Sequence, residues 1–343
     1  MRSHRSFSSP ACWLLFLLLS LCVSADASAQ LENYLAPGWH SAGQDLANTR
    51  AQFDEHAIKP SNVGSLHAKW VFKAGGNVSA TPTVAGDAVY FPDFAGNLFA
   101  VNKHDGTLLW SHRISDYTGV PGSLTRVSPA LHGDHLYIGD RVSATKTRSG
   151  ADLISINRKT GALEWLTNIE KHPTAVITGS PVVYDGVVYI GVSSGEEGYA
   201  EQASYPCCTF RGSIVAVNAH SGKVLWKTYT VPDNSGKPGG YSGASVWSPP
   251  AVDIGRQSLY VGTANNYTAP SEVVNCQLQN PEKRCAAQDD YFDSLLALDL
   301  KTGHVKWAQH LRTYDIWTLA CIRSFAPRAN CPLPSSPDSG SGS

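Results

Sequence analysis

The chain has 343 residues, 42% hydrophobic and only 16% charged, with a formal net charge of −1. The charged share lies below the roughly 25% usual for soluble domains. The near-zero net charge excludes the electrostatic footprint that nucleic acid or an anionic membrane surface requires. In chain order, the first element is a targeting segment. Arg2 and Arg5 give a positive start, Ala11 to Val23 is apolar, and Val23-Ser24-Ala25 offers small residues for cleavage, so residues 1–25 read as a secretory signal. The apolar run is shorter than the roughly 20 residues a bilayer span needs, so no stable membrane anchor is expected. Leu21 before Cys22 argues against a lipoprotein signal. The expected location is outside the cytoplasm, secreted or periplasmic. Losing Arg2 and Arg5 takes the charge balance to about −3.

The chain then repeats itself. A lone closing segment, "LHAKWVF" (66–72), precedes four copies of one pattern. The first begins "TPTVAGDAVYF" (81–91) and ends "LFAVNKHDGTLLW" (98–110); the second begins "SPALHGDHLYIG" (128–139) and ends "LISINRKTGALEW" (153–165). The third runs from "SPVVYDGVVYIG" (180–191) to "IVAVNAHSGKVLW" (214–226), and the fourth from "SPPAVDIGRQSLYVG" (248–262) to "LLALDLKTGHVKW" (295–307). Alternating apolar residues such as Ala88-Val89-Tyr90-Phe91 read as strands, and Gly-Asp or Asp-Gly pairs as the turns before them. A further strand, such as Ile214 to Val217, runs into a turn at Ser221-Gly222, where glycine takes positive φ, and a last strand ends in tryptophan. A unit of about 40 residues with four short strands is the signature of a β-propeller blade. The fold class is therefore all-β: a partial β-propeller over 26–320, about four to five blades, followed by a loop-like tail over 321–343. Trp70, Trp110, Trp165, Trp226 and Trp307 lie 40, 55, 61 and 81 residues apart, so insertions grow along the chain. Each is expected to pack between blades, where stacked sheets need large aromatic area.

Eight cysteines include Cys12 and Cys22 in the signal. The remaining six suggest disulfides in an exported chain, and their spacing suggests the local pairs 207–208, 276–285 and 321–331, one of fifteen connectivities. The adjacent pair in "YPCCTF" (205–210) is awkward, because neighbouring Cα atoms are about 3.8 Å apart across a trans peptide and most disulfides want more. Distant partners, a metal, or a ring closed on itself are the three solutions. Two sequons, at Asn77 and Asn266, are glycan acceptors in a eukaryotic secretory pathway.

The ending D-x-x-T-G-x-x-x-W, clearest in "ALDLKTGHVKW" (297–307), resembles the docking motif of quinoprotein alcohol dehydrogenases, eight-bladed propellers that use pyrroloquinoline quinone (PQQ). "ITGSPVVYDGVVYIG" (177–191), "GKVLWKTYTVPD" (222–233), "GASVWSPPAVD" (243–253) and "LYVGTANN" (259–266) extend the resemblance over residues 40 to about 320. "YPCCTFRGS" and "DIWTLAC" (315–321) look most like polyvinyl-alcohol-dehydrogenase-like proteins. The resemblance implies a Ca²⁺ site with Glu196 in "IGVSSGEEGY" as ligand, Glu197 as the alternative, and Asn265 in "GTAN" as the second; hard Ca²⁺ takes such oxygens. It implies that Trp247 stacks beneath the flat quinone, and that Arg126 and Thr178 donate to its oxygens. It also implies that Cys207 and Cys208 bond to each other and lie against the cofactor. In known members the pair sits one blade earlier, before the arginine matched by Arg126. Here it falls between Glu196 and Arg211, so the loop either roofs the cofactor or only stiffens itself.

The implied chemistry is a two-electron alcohol oxidation, with Ca²⁺ as Lewis acid, a carboxylate as base and the quinone receiving hydride. The substrate would be a small or polymeric alcohol, and an electron acceptor would reoxidise the cofactor. Two departures stand out. The family's base is the last residue of D-x-W-D, where "DIWT" has Thr318; Asp315 is the substitute expected here, a base beyond residue 343 the other source. Four blades and a fragment do not close an eight-bladed ring, so missing C-terminal blades or self-association are expected. There is no C-x-x-C-H haem motif. The alternative reading is a non-catalytic propeller acting as an interaction scaffold.

Overall fold

Four antiparallel sheets follow one another along the chain, each a meander in sequence order. The structure is a computed structural model that describes residues 38–141, 150–322 and 330–332; the expected signal segment lies outside them. The first sheet contains β1 (Gly38–Trp39), β2 (Thr83–Ala85), β3 (Ala88–Pro92), β4 (Asn97–Asn102) and β5 (Leu108–Arg113). The second has β6 (Ala130–His132), β7 (His135–Gly139), β8 (Ala151–Asn157) and β9 (Leu163–Glu170). In the third, β10 (Ala175–Val176) and β11 (Val182–Tyr184) both pair with β12 (Val187–Ser194), followed by β13 (Ser213–Asn218) and β14 (Val224–Tyr229). A short pair, β15 (Ser242–Gly243) with β18 (Asn266–Thr268), accompanies the fourth sheet of β16 (Ala251–Asp253), β17 (Ser258–Gly262), β19 (Ser294–Asp299) and β20 (Val305–His310). These are the four sequence repeats.

Burial explains the strand sequences. The middle strands β8, β12 and β13 are buried on both faces, because the second and third sheets each lie between two others, and β12 and β13 read as largely Val, Ile and Ala. The last strands β5, β9, β14 and β20 are half exposed and carry charges. One core cluster joins the first three sheets, through residues such as Leu98, Leu136, Ile154 and Val188. A second joins the third and fourth, through Ile214, Val246, Leu259 and Leu298.

The repeated ending has a single geometric explanation. Asn102, Asn157, Asn218 and Asp299 each open a turn in which the glycine N–H returns to their carbonyl at 2.8–2.9 Å. Their side chains accept turn backbone N–H groups, as Asp299 does from Lys301 and Thr302. The turn glycines Gly106, Gly161, Gly222 and Gly303 have φ of 74°, 73°, 70° and 69°. An added Cβ on Gly303 would also stand 2.4 Å from the Trp226 ring. The tryptophan of each repeat thus lies flat on the next repeat's turn. Its indole N–H donates to a carbonyl there: Trp70 to Lys103 (2.9 Å), Trp110 to Arg158 (3.0 Å), Trp165 to Ala219 (3.0 Å) and Trp226 to Leu300 (3.0 Å). Such a bond contributes about 1 kcal/mol. Covering even half of a ring of about 200 Å² contributes about 2 kcal/mol or more, so packing sets the seam and the bond sets its register.

The last strands do not end at the tryptophan, as the sequence suggests; β14 continues to Tyr229. Two residues on, on the same face, Thr228 donates to Gly303 O at 2.7 Å and Thr167 to Gly222 O at 2.7 Å, which extends the seam. The growing intervals are explained too. The second repeat lengthens between β7 and β8, the third between β12 and β13, and the fourth between β17 and β19. The fourth insertion holds a helix, Ser271–Gln279, tied down by Cys276–Cys285.

Candidate active site

In a four-stranded antiparallel meander, the connection between strands two and three and the exit from strand four lie at the same end. The turns carrying the tryptophan seam lie at the other. All three insertions and every link between sheets therefore gather on one end. Arg126, Thr178, Trp247, Asp315 and Thr318 lie on links, and Glu196, Cys207, Cys208 and Asn265 on insertions, so topology brings every predicted site residue to that end.

Hydrogen bonds join these segments into a continuous row. Ser128 N, two residues after Arg126, donates to Ser180 Oγ at 2.9 Å, two residues after Thr178. Gly179 fits against the Trp247 backbone so closely that a Cβ would stand 2.9 Å from the Trp247 carbonyl carbon. Ala264 N donates to Ser245 O and Ala244 N to Asn265 O, at 2.9 and 2.8 Å. Asn266 then brackets the last link, donating to Asp315 O (3.2 Å) and accepting from Trp317 N (2.9 Å).

Several groups on this row have unspent capacity. Trp247 is 45% exposed, unusual for an indole in this fold interior. Thr178 Oγ1 is buried with no hydrogen-bond partner among the described residues. Asn265 donates its amide to Asn266 O (2.8 Å) and Trp317 O (2.9 Å), while its Oδ1 has no partner among the described residues. Arg126 is exposed, with no ion pair among the described residues. Asp315 is 1% exposed, beside Asn266. Thr318 is fully buried, and its hydroxyl donates to Asn330 O at 3.0 Å.

The Glu196 carboxylate is fully buried and its oxygens are committed within the protein. Oε1 accepts from Thr209 N (2.8 Å) and the Tyr205 hydroxyl (2.9 Å), and Oε2 from Phe210 N (2.8 Å). His172 shares a hydrogen bond with Thr209 Oγ1 at 2.9 Å and approaches Glu196 to 3.8 Å; burial lowers its pKa, against the opposing pull of Glu196 and Glu170. Cys207 and Cys208 are bonded to each other across a cis peptide. Cys208 is fully buried and belongs with Ala200, Phe210, Tyr267 and Ala320 to the first core cluster, against which Cys207 and Cys331 pack. Glu197 is only half buried. Burial pushes the Tyr267 phenol upward, and the Glu197 charge adds more to that than Glu196 does. Tyr267 is bonded to Ser245 at 2.8 Å and stands two residues from Asn265.

Sequence reading missed four residues. Tyr205 and Thr209 flank the cysteine pair and hold Glu196. Asn330 falls in the loop-like segment 321–343, next to Cys331, which is bonded to Cys321 as expected. Asp290 is fully buried, accepts Asn266 Nδ2 at 2.8 Å, and is pushed up to about 7 by burial, with Asn266 and Arg284 opposing. The sequon at Asn266 meets the same fact: that side chain is 1% exposed and engaged, so it offers no surface to a glycan. Among the described residues no cluster of three His, Cys, Asp or Glu is arranged to hold a metal, and no helix is long and apolar enough to cross a membrane.

Comparison with known proteins fits this geometry. The family described as glucose/ethanol/alcohol dehydrogenase, β-propeller domain, under the heading PQQ, matches residues 39–320. A polyvinylalcohol dehydrogenase from Sphingopyxis sp. is 31% identical over 92% of this chain and 46% of its own length. One from Pseudomonas sp. is 30% identical over 88% of this chain and 44% of its own. A solved quinohemoprotein alcohol dehydrogenase from Pseudomonas putida superposes with a TM-score of 0.65 at 22% identity, covering 85% of this chain and 42% of that one. The chain spans about half the length of the curated relatives it matches.

Proposed function

The chain belongs to the PQQ β-propeller family of glucose, ethanol and alcohol dehydrogenases, and from that premise we propose that it is the cofactor-bearing part of a PQQ-dependent alcohol dehydrogenase acting on a small or polymeric alcohol. The observation that carries the reading is the set of unspent groups on one end of the sheets: the open Trp247 indole, the unpartnered Thr178 hydroxyl and the Asn265 carbonyl oxygen. A scaffold has no use for such a set.

These residues fit a flat, polyanionic ring. Trp247 would stack on its face, and Thr178 and Arg126 would donate to its oxygens. Asn265 Oδ1 with Glu197 would hold the Ca²⁺, since Glu196 has spent its oxygens on the paired-cysteine loop. When bound, the ion and the quinone supply a Lewis acid and a two-electron acceptor. Asp315 would accept the alcohol's proton, because the hydroxyl that stands in the family's base position, on Thr318, is no base near neutral pH. The buried ring of Cys207 and Cys208 would exclude water from the same end.

The reading includes an electron acceptor, export on the 1–25 leader, and further blades from the same or a second chain against β20. Trp307 occupies the register of the other seam tryptophans and is 46% exposed. The closed-off Thr318 favours the second reading, a propeller that binds without turnover. The test is dye-linked reduction by the purified chain supplied with Ca²⁺ and PQQ, across a panel of alcohols. Reduction dependent on both additions supports the dehydrogenase. Binding without reduction supports a propeller without turnover, and no binding at micromolar quinone sinks the dehydrogenase and leaves the interaction scaffold.

A further inference from the structure

Glu196 holds the paired-cysteine loop from within, through the N–H groups of Thr209 and Phe210 directly after Cys208. The same loop is held from outside. Asn330 Nδ2 lies 3.2, 3.0 and 3.0 Å from the carbonyl oxygens of Ala200, Gln202 and Tyr205, which span the turn between the Glu196–Tyr199 helix and the cysteines. Asn330 is itself fixed at two points. Its carbonyl accepts the Thr318 hydroxyl at 3.0 Å, and the next residue, Cys331, is bonded to Cys321. The short helix Leu319–Cys321 begins directly after Thr318.

We propose that Asn330 is a positioning residue: fixed by the Thr318 hydroxyl and by the Cys321–Cys331 bond beside it, it is an outer clamp that holds the paired-cysteine loop down on the site. Three carbonyls converging on one amide are the pattern of a fixed contact, because each carbonyl would otherwise need water or another donor. The clamp also accounts for Thr318. Its side chain is the donor that holds Asn330. The third disulfide then fixes the placement of a loop one repeat away, so its reduction acts at the site.

The clamp stands on contacts in this chain alone; its effect on quinone affinity rests on the function proposed above. The test is hydrogen–deuterium exchange on the full chain, comparing Asn330→Ala, Thr318→Val, Thr318→Ser and a Cys321→Ser/Cys331→Ser double variant. The expected result is about tenfold faster exchange at Thr209 and Phe210 in Asn330→Ala, Thr318→Val and the double variant. Exchange in Thr318→Ser, which keeps the hydroxyl, stays as in the unaltered protein, and that of Ser213–Asn218 stays unchanged in all. Unchanged exchange at Thr209 and Phe210 in Asn330→Ala, or an equal rise in the blade strands, overturns the clamp. PQQ titration with Ca²⁺ on the same variants separates the two claims. Faster exchange with at least about fivefold weaker quinone supports both; faster exchange with unchanged affinity supports the clamp and removes the quinone from this loop.

Discussion

The two ends of the sheets are built on opposite principles. At one end four tryptophan–turn seams repeat with the same donor, the same acceptor position and the same left-handed glycine. At the other end little repeats: each link and insertion differs in length, and the hydrogen bonds around Glu196, Asn265 and Thr318 are made once. The repeated end holds the sheets in register, which frees the other end to carry groups with unspent hydrogen bonds. Stability should therefore be concentrated in the seams and binding in the links.

The most damaging way to probe the comparison is Gly303→Val. Positive φ costs a β-branched residue about 1–2 kcal/mol, and overpacking against Trp226 about 1–3 more, so a loss of about 3 kcal/mol is expected in denaturant unfolding. The neighbouring glutamates come next. Glu196→Gln places an amide N–H against buried backbone donors and should cost about 1–3 kcal/mol of stability. Glu197→Gln should leave stability within about 0.5 kcal/mol yet weaken Ca²⁺ at least about tenfold by calorimetry. Equal behaviour of the two would erase the division of labour drawn here.

Asp290 tests the insertion from behind. Its folded pKa, about 7, lies above the unfolded carboxylate value. Between about pH 4 and pH 7 the folded chain keeps a proton that the unfolded chain has released. Asp290's contribution therefore falls as pH rises through that window, by at most about 1.4 kcal/mol per pH unit. Asp290→Asn should flatten that fall in unfolding measured at several pH values, and an unchanged slope would show that the carboxyl titrates normally. The smallest effect is expected for Thr178→Val. Deleting a buried hydroxyl without a partner should leave stability level or slightly raised, while PQQ binding weakens about fivefold, close to 1 kcal/mol.

The repeated end was legible in the sequence because its cause is local. The turn from Asn or Asp to Gly and the tryptophan four residues later lie within one short stretch, and the Asn or Asp and the Gly follow from turn geometry. The end of the sheets on which Trp247, Thr178 and Asn265 lie was legible too, because each stands in a recognisable stretch of a link or an insertion. The contacts of Glu196 were not, because they depend on an insertion that has no repeat to compare with. Nor was Asn330, whose partners lie 125 to 130 residues away. The half-buried Glu197 and the fully buried Glu196 are neighbours in one sequence run, and only the folded loop separates their surroundings.

The central claim is that the non-repeated end binds a quinone on Trp247 with Ca²⁺ beside it. Calorimetric titration of PQQ into the whole chain, with and without Ca²⁺, alongside Trp247→Ala, tests it most directly. The account predicts micromolar or tighter binding that needs Ca²⁺ and weakens at least about tenfold in Trp247→Ala. Binding indifferent to both Ca²⁺ and Trp247 would contradict it.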